Sequence, residues 1–301
     1  MSITLALPKT AIIGATGFLG GYFLSEHRKI HSDCIGTCEN PDEVGFSYFD
    51  LAYPEIEPLK LFESFYQEAL IFAGLSGISI CEKERELARK INVEGVVNLI
   101  RKLVDRNIKP IYFSSDMVFD GISGLYDENF PPNPLNEYGR QKAEIEQKIK
   151  EICSGKEYLI VRLSKVFALN KGDGTLLDEM ASALYSGKII QTAYDQIFCP
   201  TLVLDVVNAV LKLQMKNVTG VVNVGSSEIW SRHDLALALA DQMNISRDKI
   251  KKISLDDLKE PFIRPRNTSL NTDRLKREIS YKSTPIMQCI QTVAENWKGH
   301  K

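Results

Sequence analysis

The run Gly14-Ala15-Thr16-Gly17-Phe18-Leu19-Gly20 limits this chain more than any other feature. It stands directly behind the apolar segment Thr10-Ala11-Ile12-Ile13 and opens a helical pattern from Phe18 to about Arg28. Glycines between a strand and a helix let the backbone turn tightly and let N–H groups approach a pyrophosphate, which the helix start also favours electrostatically. The context therefore predicts a dinucleotide cradle built by Gly14, Thr16, Gly17, Phe18, Leu19 and Gly20 at the first turn of a βαβ unit.

Short apolar runs then alternate with helical patterns, as parallel strands joined by crossover helices require. Asp33–Thr37, Phe46–Phe49 and Ala69–Ala73 read as strands, and Lys83 to Arg106 as one long helix with Leu87, Ile91, Val97, Ile100 and Val104 on its apolar face. Pro110–Phe113 is a further strand with Ser114-Ser115 at its carboxyl end, where ligands sit in open α/β sheets. A turn-rich loop precedes a helix from about Asn136 to Ile152, and Tyr158–Val161 makes a sixth strand. Beyond it the alternation breaks into helices and short strands such as Gly220–Val224, and Ser231 with Asp234 predicts a capped helix over Leu235–Met243. The fold class is α/β: a Rossmann-type doubly wound parallel sheet over residues 1–164, followed by a smaller mixed α/β substrate domain over 165–301 from which some strands return to the first.

Within that frame, Glu39 lies near the end of the second strand, where an acid meets the free adenine ribose hydroxyls and a base meets a 2′-phosphate. With no Lys or Arg beside it, Glu39 favours NAD(H) over NADP(H), although either form suits the cradle. Asp50 and Leu51, after the third strand, stand where side chain and backbone would approach adenine; capping of a turn is the competing role for Asp50.

A second signature is Tyr138-Gly139-Arg140-Gln141-Lys142 at a helix start, with Ser115 ending a strand upstream. Spacing of i, i+4 puts Tyr138 and Lys142 on one helix face. Hydride reduction of a ketone creates an alkoxide that needs a proton, and a positioned phenol supplies it. A free tyrosine has a pKa of about 10, so Lys142 is expected to lower it by stabilising the phenolate and to hold the nicotinamide ribose, while Ser115 orients the carbonyl oxygen. Ser115, Tyr138 and Lys142 are thus the expected catalytic set, with Tyr138 and Lys142 also facing the cofactor.

Together the runs Phe113-Ser114-Ser115-Asp116-Met117-Val118-Phe119-Asp120-Gly121, Tyr126-Asp127-Glu128, Pro134-Leu135-Asn136, Tyr138–Lys142, Val161-Arg162-Leu163-Ser164 and Arg264-Pro265-Arg266-Asn267-Thr268-Ser269-Leu270 closely resemble the dTDP-4-dehydrorhamnose reductase family of extended short-chain dehydrogenase/reductases. The resemblance covers nearly the whole chain. It implies reduction of a 4-keto-6-deoxy sugar on a nucleotide carrier by NADPH or NADH, within deoxysugar or surface polysaccharide biosynthesis. It further implies that Ala73 and Gly74 line the cofactor groove, with Asp116, Met117, Lys165 and Arg264 on the sugar side.

Two positions depart from the family pattern. Met117 stands where tyrosine is usual and Lys165 where tryptophan is usual, which predicts a different sugar preference. Two alternatives accompany the reductase reading: an epimerase or dehydratase of the same superfamily, and a non-catalytic cofactor-binding subunit like the regulatory subunit of methionine adenosyltransferase.

Composition excludes other classes. Lys+Arg total 37 against 39 Asp+Glu, so no basic face supports nucleic-acid binding. No apolar run reaches the roughly 18 residues of a membrane span, and Met1–Lys9 lacks the basic and apolar regions of a signal peptide. Cytoplasm is the expected location, and the family resemblance implies a homodimer. The six scattered cysteines form no C-x-x-C pair and read as reduced, buried fillers. His27 and His31, at i, i+4, lack a third ligand and read as a solvated helix end, so no metal site is expected.

Overall fold

Thr10–Ile13 forms strand β1 with all four residues buried, the pattern of a parallel strand covered on both faces. The computed structural model describes residues 6–298; residues 1–5, part of the stretch read for a targeting signal, lie outside it. In chain order there follow α1 (Phe18–Arg28), β2 (Thr37–Cys38), β3 (Ser47–Tyr48), β4 (Glu68–Ile71), α2 (Ile78–Lys83), α3 (Arg85–Arg89), α4 (Val96–Asp105), β5 (Lys109–Ser115), α5 (Glu137–Ile152) and β6 (Leu159–Leu163). β1 pairs in parallel with β4, and β4 with β5, so that Ile13 faces Ile71 and Ile71 faces Tyr112. The sheet runs β1-β4-β5-β6 and ends on the strand Gly220–Val224. On the other flank of β1, Ile12 N donates to Ile35 O (3.0 Å) and Ala15 N to Thr37 O (2.8 Å), which sets the parallel β2/β3 pair beside it. Strand order therefore reverses at β1, and a crevice opens outside the carboxyl ends at such a switch point.

Two predicted strands are shorter than expected. Although Ile35 O accepts from β1, the N–H groups of Cys34 and Ile35 bond elsewhere: Cys34 N to His31 O in a turn, and Ile35 N to the Tyr66 hydroxyl. Ladder geometry is left only to Thr37–Cys38, and in the next segment only to Ser47–Tyr48. The single helix expected from Lys83 to Arg106 is also interrupted. It breaks at Glu84 and passes through a π-helical turn, Lys90–Gly95, before α4. Gly95 accounts for part of this path, because a Cβ there would come within 2.0 Å of Leu51 O. His27 is a further correction: it is fully buried, its Nδ1 bonded to Phe23 O at 2.8 Å, and burial lowers its pKa. It lies in the last turn of α1, but on the face that Gly20, Phe23 and Leu24 bury, and that explains its burial. All six cysteines are buried and none forms a disulfide, as expected.

The chain forms two compact units. Unit 1 runs to Val118 and takes in Pro132–Arg162 and Ala209–Val222; unit 2 comprises Phe119–Pro131, Leu163–Asn208 and the chain from Asn223. The second half supplies β7 (Val166–Phe167), α6 (Leu176–Tyr185), β8 (Ile190–Ala193), β9 (Ile197–Phe198), β10 (Thr201–Leu202), α7 (Val203–Met215), β11 (Gly220–Val224), β12 (Trp230–Ser231), α8 (Arg232–Met243), β13 (Ile250–Ile253), α9 (Asp273–Ile279) and α10 (Ile286–Lys298). Unit 2 rests on helices rather than on a sheet: Leu177 and Met180 of α6, Leu235 and Leu239 of α8, and Ile290 and Trp297 of α10 share one buried cluster. Its strands pair only two at a time, β10 with β7, β12 with β9 and β13 with β8. Ser231 caps α8 by accepting the Asp234 N–H at 3.0 Å, as the sequence suggests, with the helix beginning three residues earlier than expected, at Arg232.

Candidate active site

In unit 1 the glycine run makes the turn between β1 and α1, and its three glycines have different reasons to be glycine. Gly14 has φ +85°, and a Cβ there would lie 2.6 Å from Ala73 N. At Gly20 a Cβ would meet Gly14 O at 2.2 Å. A Cβ on exposed Gly17, by contrast, meets only Gly14 O, at 3.4 Å. The protein's own packing thus explains Gly14 and Gly20, and the bare face of Gly17 looks outward. Gly17 is also the N-cap of α1 and contributes no side-chain acceptor, so the first-turn N–H groups have no cap from it.

A groove of about 200 Å³ opens here, lined among others by Gly14, Thr16, Gly17, Glu39, Leu51, Ala73 and Gly74. Seven residues assigned to the cofactor from sequence are thereby brought together. Phe18, Leu19 and Gly20 form the following helical turn. Asp50 is not part of the lining; its Oδ1 accepts the Ala52 N–H at 2.8 Å, the turn-capping role. Uncapped N–H groups, a glycine with no internal reason to lack a side chain and an acid at the ribose position fit a dinucleotide.

Sequence reasoning missed Thr37, which lines this groove, and Asn92, which holds Leu75 of its lining. Thr37 Oγ1 accepts Gly14 N at 3.0 Å and so ties the second strand to the glycine turn. Asn92, inside the π-helical turn, clamps the loop after β4: its Oδ1 accepts Leu75 N at 2.7 Å, and its Nδ2 donates to Leu75 O and to Gln141 Oε1, both at 2.9 Å. A lone amide beside the apolar face Leu87/Ile91 was the available signal.

Ser115 ends β5, while Tyr138 and Lys142 lie on the first turns of α5. Asn136 fixes that helix start, its side chain accepting Gly139 N at 2.9 Å. Gly139 lets the helix approach the one-turn segment Asp116–Val118, since a Cβ would stand 2.2 Å from Met117 O. The Ser115 hydroxyl donates to Asp116 Oδ1 (3.0 Å) and accepts from Met117 N (3.2 Å). Lys142 Nζ donates to Phe113 O at 2.8 Å and sits 4.5 Å above the Tyr112 ring and 5.7 Å from the centre of the Tyr138 ring.

The electrostatics depart from expectation. Burial, then the charge of Asp116, push the Tyr138 phenol well above its ordinary value, with only the Ser115 hydroxyl pulling down. The lowering expected from Lys142 does not show, because burial brings that ammonium's own value below the phenol's, so it is neutral by the pH at which the phenol ionises. Burial in turn brings Lys142 down to about 8, opposed by Cys81 and Glu146. The phenol is therefore held as a proton donor, and the lysine as a cation at neutral pH.

Of the sugar-side residues, Asp116 is buried and Met117 half-buried, both in unit 1. Lys165 and Arg264 belong to unit 2. Lys165 is exposed; Arg264 forks onto the Glu260 carboxylate and covers the Phe262 ring at 5.0 Å. No group of three metal-binding side chains occurs among the described residues.

Comparison with known proteins agrees with this architecture. The fold matches dTDP-4-dehydrorhamnose reductase from Bacillus anthracis, solved in complex with NADP, at a TM-score of 0.82 and 23% identity over 95% of this chain and 98% of that one. In sequence the chain is 25% identical to "Probable low-salt glycan biosynthesis reductase Agl14" of Haloferax volcanii (89% of this chain, 91% of that protein). It is 28% identical to methionine adenosyltransferase 2 subunit beta of Xenopus tropicalis (94% and 86%). A family described as the RmlD substrate binding domain matches residues 9–298. With that match spanning almost every described residue, the chain belongs to the RmlD substrate binding domain family.

Proposed function

We propose that this protein is a nicotinamide-dependent reductase of a keto group on a nucleotide-activated deoxysugar, serving deoxysugar or surface polysaccharide synthesis. One observation carries the reading: Ser115, Tyr138 and Lys142 meet at the carboxyl edge of the sheet in the same unit as the glycine groove. Bound in that groove, a reduced dinucleotide supplies the hydride. The residues of the chain do the rest. The Ser115 hydroxyl turns from Asp116 to the substrate carbonyl oxygen and orients it. Tyr138 releases its phenolic proton to that oxygen as it becomes an alkoxide. Lys142 holds the ribose and compensates the phenolate left behind.

Glu39 supports a preference for NADH, being an exposed carboxylate in a lining without Lys or Arg. The test is loss of reduced-nicotinamide absorbance on adding a dTDP-4-keto-6-deoxy sugar, run separately with NADH and NADPH. Consumption, faster with NADH, is the expected result. Absence of consumption with both cofactors, despite tight cofactor binding, would overturn the reductase reading.

The likeness to methionine adenosyltransferase 2 subunit beta favours a second reading, a cofactor-binding partner subunit. It gains ground if the protein turns over no keto sugar and co-elutes with a methionine adenosyltransferase catalytic chain. Retention of Ser115, Tyr138 and Lys142 together supports the enzyme.

A further inference from the structure

Directly behind the proposed catalytic set lies a buried polar cluster. Glu146 follows Lys142 by one turn of α5, and its side chain is 1% exposed, as is that of Arg162 on β6. The Ser114 hydroxyl donates to Glu146 Oε1 at 2.6 Å. Arg162 Nε donates to both carboxylate oxygens (3.0 and 3.2 Å), and a terminal guanidinium nitrogen to Oε2 at 2.7 Å. A buried ion pair is a poor source of net stability, because desolvating both ions offsets their attraction. Its position explains it better.

Strand β5 and helix α5 meet through three neighbouring residues on one side and three helical turns on the other. Phe113 O takes Lys142, the Ser114 hydroxyl takes Glu146, and Ser115 belongs with Tyr138 in the catalytic set. The groups facing Lys142 are the Tyr112 ring and Phe113 O from β5, Cys81 from α2, and Tyr138 and Glu146 from its own helix. Burial raises the Cys81 thiol, and the Tyr138 phenol is also raised, so both are neutral at pH 7. That leaves the Glu146 carboxylate as the anion among them.

We propose that Glu146 is a positioning residue for the reductase reaction: held by Ser114 and Arg162, it fixes the height of α5 on β5 and keeps Lys142 a cation. The proposal rests on the reductase reading for its purpose, but its test does not depend on substrate or cofactor. Trace acetylation with acetic anhydride across pH, followed by peptide mass spectrometry, reports the protonation midpoint of Lys142 itself. The wild-type midpoint is expected near pH 8. Glu146→Gln should lower it by about half a unit or more, the scale of one nearby charge, and Glu146→Asp should return it most of the way.

The double variant Glu146→Met/Arg162→Met replaces the pair by apolar volume that buried sites tolerate; because it also removes the opposing Arg162 charge, it should lower the midpoint less than Glu146→Gln does. An unmoved midpoint in both Glu146→Gln and the double variant overturns the proposal. If neither variant folds, the pair belongs to folding alone, and the proposal fails. Failure of the reductase reading would show separately, as a wild-type protein with a normal Lys142 midpoint that consumes no NADH.

Discussion

The two edges of the sheet in unit 1 make an instructive pair. At the carboxyl edge the groove beside Gly17 measures about 200 Å³, whereas a cavity at the amino edge reaches about 990 Å³, lined by residues such as Lys9, Glu68, Lys109 and Gln214. Volume alone would point to the amino edge. Its charged groups, however, are already engaged with one another. Lys109 Nζ bonds Asn217 Oδ1 (2.8 Å) and Val218 O (3.1 Å) and lies 3.3 Å from Glu68; Gln214 bonds Glu68 and Thr10; Lys9 pairs with Asp33. The smaller groove instead presents donors without a side-chain cap. A site is marked by unspent hydrogen-bonding donors at its surface, and charges paired with one another mark a joint.

That contrast can be broken most forcefully at the carboxyl edge. Tyr138→Phe should cut kcat by about 100-fold to 10,000-fold, the usual worth of a general acid, with NADH affinity unchanged by fluorescence titration. Comparable loss of binding would mean that the phenol serves the cofactor rather than the proton. Lys109→Met at the amino edge should cost about 3–5 kcal/mol in urea unfolding, because it strands the Glu68 carboxylate in the interior; NADH affinity in the folded fraction should not move. If affinity fell in parallel, the two edges would not be separable as claimed.

Gly17→Ala should leave the melting temperature within a degree or two while weakening NADH by about tenfold, that is about 1.4 kcal/mol. Gly20→Ala should do the reverse in kind, unfolding the turn that its Cβ would invade. The smallest effect concerns His27, whose folded pKa lies below its ordinary value through burial. The unfolded chain then takes up the proton first, so stability holds above the ordinary value of about 6.5 and declines as pH falls below it. Replacing His27 by Gln should flatten that decline, measured as urea midpoints between pH 7.5 and 5.5.

The same division governs what could be read in the sequence. β1, α1 and β11 are where the apolar runs and glycines put them, because each depends on contiguous residues. The glycine turn and the Tyr138/Lys142 pair were legible for the same reason: turn and helix spacing are local. Glu146 looked like one more charge on a helix rich in them, and only β6 arriving with Arg162 makes it interior. Glu68, Lys109 and Gln214 sit far apart in the chain and become a network once parallel strands align their amino ends. Asn92 stood hidden because an α-helical period does not anticipate a widened turn.

That widened turn also bears on how the gene can vary. A π-helical segment carries an extra residue relative to α spacing, and each helical residue turns the chain by about 100°. Loss of one residue within Lys90–Gly95 would therefore leave a regular helix that no longer presents both Asn92 to Leu75 and Gly95 to the Leu51 carbonyl. Point changes on the exposed face of α4 should be accepted freely, but single-codon deletions in this stretch should be absent from functional variants, which makes the segment a sensitive length marker for deletion scanning.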